Sequence, residues 1–248
     1  MRAIIADIDD TICPSTMPVS PDMAREIDRI VASGREFAFI SGSSVDQISG
    51  QVDATLTTPH HILGATGTHY VKVRYEGGKP VREEVHREGF SATDKAEILK
   101  VVEDLIAKFD IRPLTTKEDQ LQDRGSQITL SAVGRHAPET AKRSYDPDGA
   151  KRKGWVEFLR SRLGDRFSYR IGGTTSVDIT GKGYDKAWGI RKFLEHNRIP
   201  AGEVLFFGDK LGPEGNDFPA LSVVDCVEVR DPGHTLEILS QLRFKSGS

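Results

Sequence analysis

Arg2-Ala3-Ile4-Ile5-Ala6-Asp7-Ile8-Asp9-Asp10-Thr11 carries a short apolar run straight into three carboxylates and a hydroxyl. The run from Ala3 to Ala6 is too short for a helix and does not alternate. It reads as a strand buried on both faces, as in a parallel sheet clad by helices. Ligands of such sheets bind just past the carboxyl ends of the strands, where Asp7 and Asp9 fall. Two acids on stiff backbone suit a hard cation and an attacking carboxylate. On this stretch alone a plain polar turn is an equal reading, since Asp is a common turn residue. A calcium loop of the EF-hand kind fits worse. Counted from Asp7, Pro18 stands where the bidentate Glu is needed, and no Gly holds the sixth place.

The 248 residues suffice for one large α/β domain or for a core with a smaller second domain. Hydrophobic residues at 37% and charged residues at 29% are ordinary for a soluble enzyme. A net charge of −3 gives no reason to expect nucleic acid or an anionic membrane as partner. No apolar stretch approaches ~20 residues and the first strand begins at once, so neither a membrane span nor a secretory leader is expected. Cys13 and Cys226 lie far apart without metal-ligand spacing, which points to a reducing compartment. A cytoplasmic protein is expected.

Along the chain, Ser20-Pro21-Asp22 is a helix start, and Met23, Ile27, Ile30 and Val31 make its apolar stripe. A second short strand, residues 36–40, runs into Ser41-Gly42-Ser43-Ser44, with a helix from Val45. Strand, helix, strand, helix implies right-handed crossovers in a parallel sheet. Residues 70–75 and 81–85 alternate around Glu76-Gly77-Gly78-Lys79 and form a hairpin. A long helix follows, with Ile98, Val102, Leu105, Ile106 and Phe109 on one face. Then come a strand over 127–133, a helix marked by Trp155, Phe158 and Leu159, and a strand pair around Gly172-Gly173. The first pattern returns with Asp185 capping a helix, and residues 204–207 end in Gly208-Asp209-Lys210. A last strand over 223–229 and a helix over 235–242 close the chain. The expected fold is α/β: a doubly wound, Rossmann-like parallel-sheet core, residues 1–80 plus 184–248, with an inserted α+β cap domain, residues 81–183. Only the Lys245-Ser246-Gly247-Ser248 tail is of low complexity.

Four strand-end features share one edge of that sheet. They are Asp7 with Asp9, Ser41-Gly42-Ser43, Lys186, and Asp209 with Asn216 and Asp217 beyond a Gly/Pro loop. These types fit phosphoryl transfer: a carboxylate attacks, a second acid shuttles a proton, and a hydroxyl with a lysine holds the equatorial oxygens. Further acids hold Mg²⁺ against the negative charge. Asp-Ile-Asp-Asp-Thr, the serine strand end, Lys186 and Gly208-Asp209…Asn216-Asp217 resemble the four motifs of haloacid dehalogenase-like phosphotransferases. The resemblance implies Asp7 as nucleophile and Asp9 as general acid/base that also offers its carbonyl to Mg²⁺. It implies Ser41 or Ser43, with Lys186, as phosphate ligands, and Asp209, with Asn216 and Asp217, at the metal. Asp10 stands where many members carry Gly.

The inserted block sharpens the comparison. Arg124-Gly125…Gly134-Arg135, Gly172-Gly173-Thr174-Thr175-Ser176-Val177-Asp178, Gly183-Tyr184-Asp185-Lys186 and Phe206-Phe207-Gly208-Asp209-Lys210 are similar to motifs of the eukaryotic-type phosphomannomutases. The likeness is dense from about 124 to 217 and thin between 45 and 123. A hexose phosphomutase needs a second, basic phosphate site away from the metal, and Arg124 and Arg135 suit it bidentately. Ser176 would add a hydrogen bond, and Asp178 suits a sugar hydroxyl. Without the resemblance, a solvated strand edge or ion pairs with Asp119, Asp123 or Glu139 would account for the arginines.

Two departures thin the second phosphate site. Where the mutases carry a further arginine this chain has Lys142, beside Arg143, and residues 14–18 lack a basic residue. The expected activity interconverts hexose 1- and 6-phosphates through an aspartyl-phosphate, with Mg²⁺ and a hexose bisphosphate activator. A sugar-phosphate phosphatase with the same residues is the alternative, and a non-catalytic phospho-acceptor module is a third reading. The expected partner is a small sugar phosphate, and the resemblance implies a homodimer through the cap. His60-His61 reads as a polar loop, Trp155 and Trp188 as core, and Lys151-Arg152-Lys153 as a solvated helix start. The resemblance implies a crossing from core to cap at Gly64 to Thr68.

Overall fold

A computed structural model describes residues 1–244, so the Lys245-Ser246-Gly247-Ser248 tail lies outside the described residues. The chain forms two compact units. The first comprises Met1–Arg87 and the chain from Tyr184 onward, and the second Glu88–Gly183.

In the first unit β1 (Ala3–Ala6), α1 (Pro21–Ala32), β2 (Glu36–Ile40), α2 (Val45–Val52), β3 (His60–Gly64), β4 (His69–Glu76) and β5 (Lys79–Arg87) follow in turn. The second unit supplies α3 (Ala92–Lys108), α4 (Lys117–Gln120), β6 (Leu121–Asp123), β7 (Gln127–Ser131), α5 (Glu139–Tyr145), α6 (Ala150–Leu163), β8 (Phe167–Gly172) and β9 (Ser176–Gly181). The chain then returns through α7 (Lys186–Asn197), β10 (Val204–Gly208), β11 (Asp225–Glu228) and α8 (Pro232–Gln241).

The first unit is a seven-stranded sheet in the order β11-β10-β1-β2-β3-β4-β5. β11 to β3 are parallel; β4 and β5 add an antiparallel edge. Successive side chains of β1 serve opposite faces. Ile4 and Ala6 pack with Met23 and Ile27 of α1, Ile48 and Val52 of α2 and Leu239 of α8. Ala3 and Ile5 pack with Ile190 and Phe193 of α7. The chain winds from β1 through β2 to β3 on one side and returns as β10 and β11 on the other. The order therefore reverses beside β1, which is the switch point where such sheets bind ligands.

The first boundary falls after Arg87, not after residue 80. The two-residue turn Gly77-Gly78, both residues at positive φ, pairs β5 with β4 from Glu76↔Lys79 to His69↔Arg87. A strand hydrogen-bonded along its length to the core sheet belongs to that sheet. Gly64 to Thr68 is likewise no crossing: it is a tight turn between β3 and β4. Ala65, Thr66 and Gly67 take φ of 47°, 59° and 95°. Such backbone costs of order 1 kcal/mol or more at each non-Gly residue. It is held by bonds from the Ala65 amide to the Ser43 carbonyl, 2.7 Å, and from the Thr66 amide to the Ser41 carbonyl, 2.8 Å.

His60 and His61 are also not in a loop. Both are buried in β3, where His61 contacts Glu36 and the Tyr70 hydroxyl, and His60 contacts Asp53. Trp188 is only half-buried, whereas Trp155 lies in the second unit's core.

The second unit is a four-stranded antiparallel sheet, β6-β7-β9-β8. Ile128, Leu130, Val177 and Ile179 form its apolar face, covered by Ile98, Val102 and Leu105 of α3 and Trp155 and Leu159 of α6. Arg152 at the start of α6 is not solvated; it is 1% exposed. Its guanidinium bonds Asp146 Oδ2 at 2.8 Å and the Gly172 and Gly173 carbonyls at 2.8 and 2.7 Å. A planar fork with five donors is buried here because each direction meets an acceptor. It ties the β8–β9 turn to the segment ahead of α6.

Gly67 lies directly against Gly189 of α7, and a Cβ on Gly189 would collide with the Thr66 carbonyl oxygen. Gly189→Ala should lower stability by about 1–3 kcal/mol by overpacking. Gly50→Ala, in α2 with open space around it, should raise stability by roughly 0.5–1 kcal/mol. Urea unfolding of both variants checks the pair; equal effects would refute the tight backbone crossing.

Candidate active site

The parallel register sets the site's level. Ala6 pairs with Phe39 on one side and Phe207 on the other, so Asp7, Ser41 and Asp209 leave the sheet at the same edge. The Asp7 amide still donates to the Phe207 carbonyl at 2.9 Å, which fixes Asp7 as an extension of β1. Beyond it the Thr11, Ile12 and Cys13 amides all point to the Ile8 carbonyl, turning the chain back at once. Asp10 supports that turn at φ 62°, a left-handed conformation that Gly takes freely and Asp tolerates. An acid in place of Gly thus keeps the loop.

Lys186 is the first residue of α7, after the N-cap Asp185. Its ammonium group lies 2.6 Å from Asp7 Oδ1 and also contacts Asp217 Oδ1. Lys186, Asp7 and Asp217 are 1%, 4% and 0% exposed. Asp217 reaches this place because the chain lacks a side chain at Gly208, where a Cβ would sit 2.6 Å from Asp217 Oδ2. That oxygen accepts the Lys210 amide at 3.0 Å.

One lysine between two buried carboxylates leaves net negative charge. Burial pushes the Asp7 carboxyl up to about 6; Lys186 pulls it down, and Asp217 adds to the rise. Burial alone would lower the Lys186 ammonium, but the attraction of Asp7 and Asp217 wins and raises it. Lys186 therefore stays charged.

Oxygens of Asp7, Asp209 and Asp217 lie within 4.8 Å of one another. Asn216 Oδ1 is buried without a hydrogen-bond partner. A hard divalent cation takes oxygen ligands and would use both features, so the donor set fits Mg²⁺. Asp209 also contacts Lys210 and accepts from Thr11 Oγ1 at 3.4 Å.

Asp9 stands apart from the buried cluster and is half-buried. Its Oδ1 accepts from the Thr16 amide at 2.9 Å and from Gln51 Nε2 at 3.2 Å. Ser41 is buried, and its Oγ accepts the Ser43 amide at 3.1 Å. Gly42 and Ser43 are half-buried beside it, just ahead of the Ser44 capping box that starts α2. Thr11 and Gln51 escaped the sequence reading. Thr11 lay in the opening stretch and its spacing was the available signal; Gln51 meets Asp9 only because α2 packs beside the loop. Cys13 and Cys226 are free, and burial pushes their thiols up to about 12 and about 11.

The remaining candidates belong to the second unit and are described on their own. The face of its sheet opposite the apolar one carries a row of directly paired residues: Gln122, Thr129, Asp178 and Arg170, from β6 to β8. Asp178 Oδ1 accepts from Thr129 Oγ1 at 2.7 Å, and Ser176 pairs with Ser131, Oγ to Oγ 3.1 Å. Arg124 donates to Gln122 Oε1 at 2.9 Å. Burial lowers its guanidinium, Asp178 raises it and Arg135 lowers it, which places all three side chains in one electrostatic neighbourhood.

The carboxylates that could have neutralised the arginines are occupied elsewhere. Asp119 bonds Thr115 and His136, Asp123 contacts Lys95, and Glu139 holds Lys142 at 3.3 Å and Arg143 at 3.0 Å. Lys142 and Arg143 are thus drawn into one exposed ion-pair cluster on α5.

A carboxyl with a folded value near 6 against 3.8 binds its proton more tightly in the folded state. The contribution of Asp7 to metal-free stability should be fullest below pH 4 and fall by up to about 3 kcal/mol as pH rises through 6. Asp7→Asn should flatten that decline. Thermal unfolding in chelator from pH 4 to 8 checks this, and superimposable profiles would refute it.

A profile of the family described as eukaryotic phosphomannomutase matches residues 26–244. The spinach (Spinacia oleracea) phosphomannomutase is 27% identical over 244 residues, covering 94% of this chain and 90% of its own. That of Babesia bovis is 27% identical over 247 residues, covering 95% and 92%. Among solved structures, a Plasmodium falciparum IMP-nucleotidase with IMP bound superposes with a TM-score of 0.70 at 15% identity, over 97% of this chain and 67% of that one. A haloacid dehalogenase-like hydrolase from Bacteroides thetaiotaomicron gives 0.66 at 12%, over 97% and 98%. The structural likenesses establish the haloacid dehalogenase-like fold. With the family match spanning most of its length, the chain belongs to the eukaryotic phosphomannomutase family and is an enzyme of the haloacid dehalogenase-like phosphotransferase kind.

Proposed function

We propose that this enzyme interconverts mannose 1-phosphate and mannose 6-phosphate, or the matching phosphates of a close hexose, through a phosphorylated Asp7. The observation that carries the reading is the buried Lys186 between Asp7 and Asp217, at the switch point of the sheet. Lys186 orients the Asp7 carboxylate and, still charged, offsets charge on the transferred phosphoryl oxygens. A carboxylate oxygen of Asp7 attacks phosphorus and the bond to the sugar oxygen breaks. Asp9 gives its proton to that oxygen. In the return step it takes the proton of the other sugar hydroxyl, which attacks the phosphorus held on Asp7 and breaks the aspartyl-phosphate bond, freeing the Asp7 carboxylate.

Asp7, Asp209, Asn216, Asp217 and the Asp9 carbonyl are the groups that would hold Mg²⁺. When bound, Mg²⁺ supplies charge neutralisation of the phosphoryl group. Ser41, or Ser43 with the Gly42 backbone, would bind the equatorial oxygens. Arg124 and Arg135 would hold the phosphate that is not reacting, with Ser176 as a further donor and Asp178 on a sugar hydroxyl. Loading of Asp7 would need a hexose bisphosphate.

A phosphatase with the same residues is the second reading. It gains weight from Lys142 and Arg143, both engaged by Glu139 rather than left for a second phosphate. A homodimer through the second unit and a cytoplasmic location complete the proposal. Among the described residues no helix is long and apolar enough to cross a membrane.

Phosphorus NMR of mannose 1-phosphate with enzyme and Mg²⁺, with and without glucose 1,6-bisphosphate, tests the activity. Mannose 6-phosphate formed only with the bisphosphate is the expected outcome; inorganic phosphate alone would establish the phosphatase. Asp7→Asn should abolish both, and retained turnover would overturn the mechanism. Arg135→Ala should raise KM for the hexose phosphate roughly ten- to a hundredfold, as expected for a lost charge-assisted hydrogen bond. Its effect with acetyl phosphate as donor should be far smaller.

A further inference from the structure

The sequence left the second phosphate site short of one cation, and the residues next in line, Lys142 and Arg143, are taken up by Glu139. The sheet register offers another. Arg170 on β8 stands directly opposite Asp178, which stands opposite Thr129, which stands opposite Gln122. Directly opposed residues share a face. Arg170 therefore belongs to the same polar face as Ser176 and Asp178, and closes a row that begins where Arg124 is bonded to Gln122.

An arginine across from an aspartate on adjacent strands would ordinarily pair with it. Here it does not. Asp178 is engaged by Thr129 from the other side, and the side chain of Arg170, which is exposed, makes no ion pair or hydrogen bond among the described residues. Its neighbours on β8 explain why it is not simply a core-covering stem. Tyr169 and Ile171 alternate to the other face, where Tyr169 packs against the apolar core. The guanidinium is left with its fork of donors uncommitted, on the sheet face that carries the proposed sugar and phosphate ligands.

We propose that Arg170 is a substrate-binding residue: a third guanidinium that, with Arg124 and Arg135, holds the non-reacting phosphate of the hexose phosphate. This rests on the reading of that polar face as the substrate-recognition surface. The geometry favours a bidentate contact to phosphate oxygens, which a lysine would reproduce only in part. It also makes the departure at Lys142 a relocation of charge within the unit rather than a loss.

The test is KM and kcat for mannose 1-phosphate together with the calorimetric Kd for mannose 6-phosphate. It compares wild type, Arg170→Ala, Arg170→Lys and Arg162→Gln. Arg162 lies on α6, the helix that covers the opposite face, so its variant controls for loss of one positive charge. Arg170→Ala is expected to raise KM and Kd roughly ten- to a hundredfold with kcat changed severalfold at most, Arg170→Lys to recover part, and Arg162→Gln to leave both constants near wild type. Equal constants for Arg170→Ala and wild type, or equal rises in Arg170→Ala and Arg162→Gln, would overturn the inference. Binding of mannose 6-phosphate without turnover in wild type would overturn the proposed activity, while the Kd comparison would still decide Arg170. No binding in wild type would overturn both.

Discussion

A single ammonium group between two buried carboxylates organises the strand-end edge of the first unit. Taking Lys186, Asp7 and Asp217 out of water costs several kcal/mol per ion, and the attraction among them offsets this only while the geometry is close. Three features of the chain keep it close. Gly208 leaves room for the Asp217 carboxylate, the Lys210 amide satisfies its other oxygen, and the Asp7 amide is still tied to the Phe207 carbonyl. The arrangement remains short of positive charge. The raised Asp7 carboxyl expresses that shortage, and a divalent cation held by Asp7, Asp209 and Asp217 would relieve it.

The same requirement reaches into the backbone behind the site. Lys186 opens α7, and α7 crosses the Ala65-Thr66-Gly67 turn at Gly189, with no side chain between the two backbones. That turn in turn holds the Ser41 and Ser43 carbonyls through the Thr66 and Ala65 amides. The strained φ values of the turn are therefore the cost of bringing the serine loop and the lysine helix to one sheet edge. The second unit solves a different problem. Its sheet commits one face to a hydrophobic core and keeps hydroxyls, a carboxylate and guanidiniums on the other, with Arg152 buried beneath the β8–β9 turn to fix the strands that carry them.

Much of this was legible in the chain itself. The apolar runs before Asp7 and Asp209 announced parallel strands, because residues buried on both faces need no alternation. The Gly77-Gly78 hairpin and the helix stripes followed from period and turn chemistry. The catalytic candidates were legible because each sits at a strand end or helix start with its own local signature. Harder to read was whatever depends on a partner remote in sequence. A core boundary at residue 80 cuts into β5, because that strand, with its side chains mostly exposed, resembles an isolated ribbon until its pairing with β4 is seen. His60 and His61 looked like a polar loop because Glu36, Asp53 and Tyr70, which satisfy them, come from other elements. Arg152 looked solvated for the same reason.

The sequence by itself thus determined the strand-end acids, the serine loop, the lysine after the inserted block and the alternation that marks the antiparallel strands. These are local consequences of side-chain type and spacing, and short-range rules suffice for them. Only the tertiary structure decided which charges remain available. Lys142 and Arg143 are spent on Glu139, Arg124 is turned toward Gln122 and Asp178, and Arg170 is left open at the end of a cross-strand row. The allocation of charge depends on distances between strands far apart in the chain, and strand register is what sets those distances.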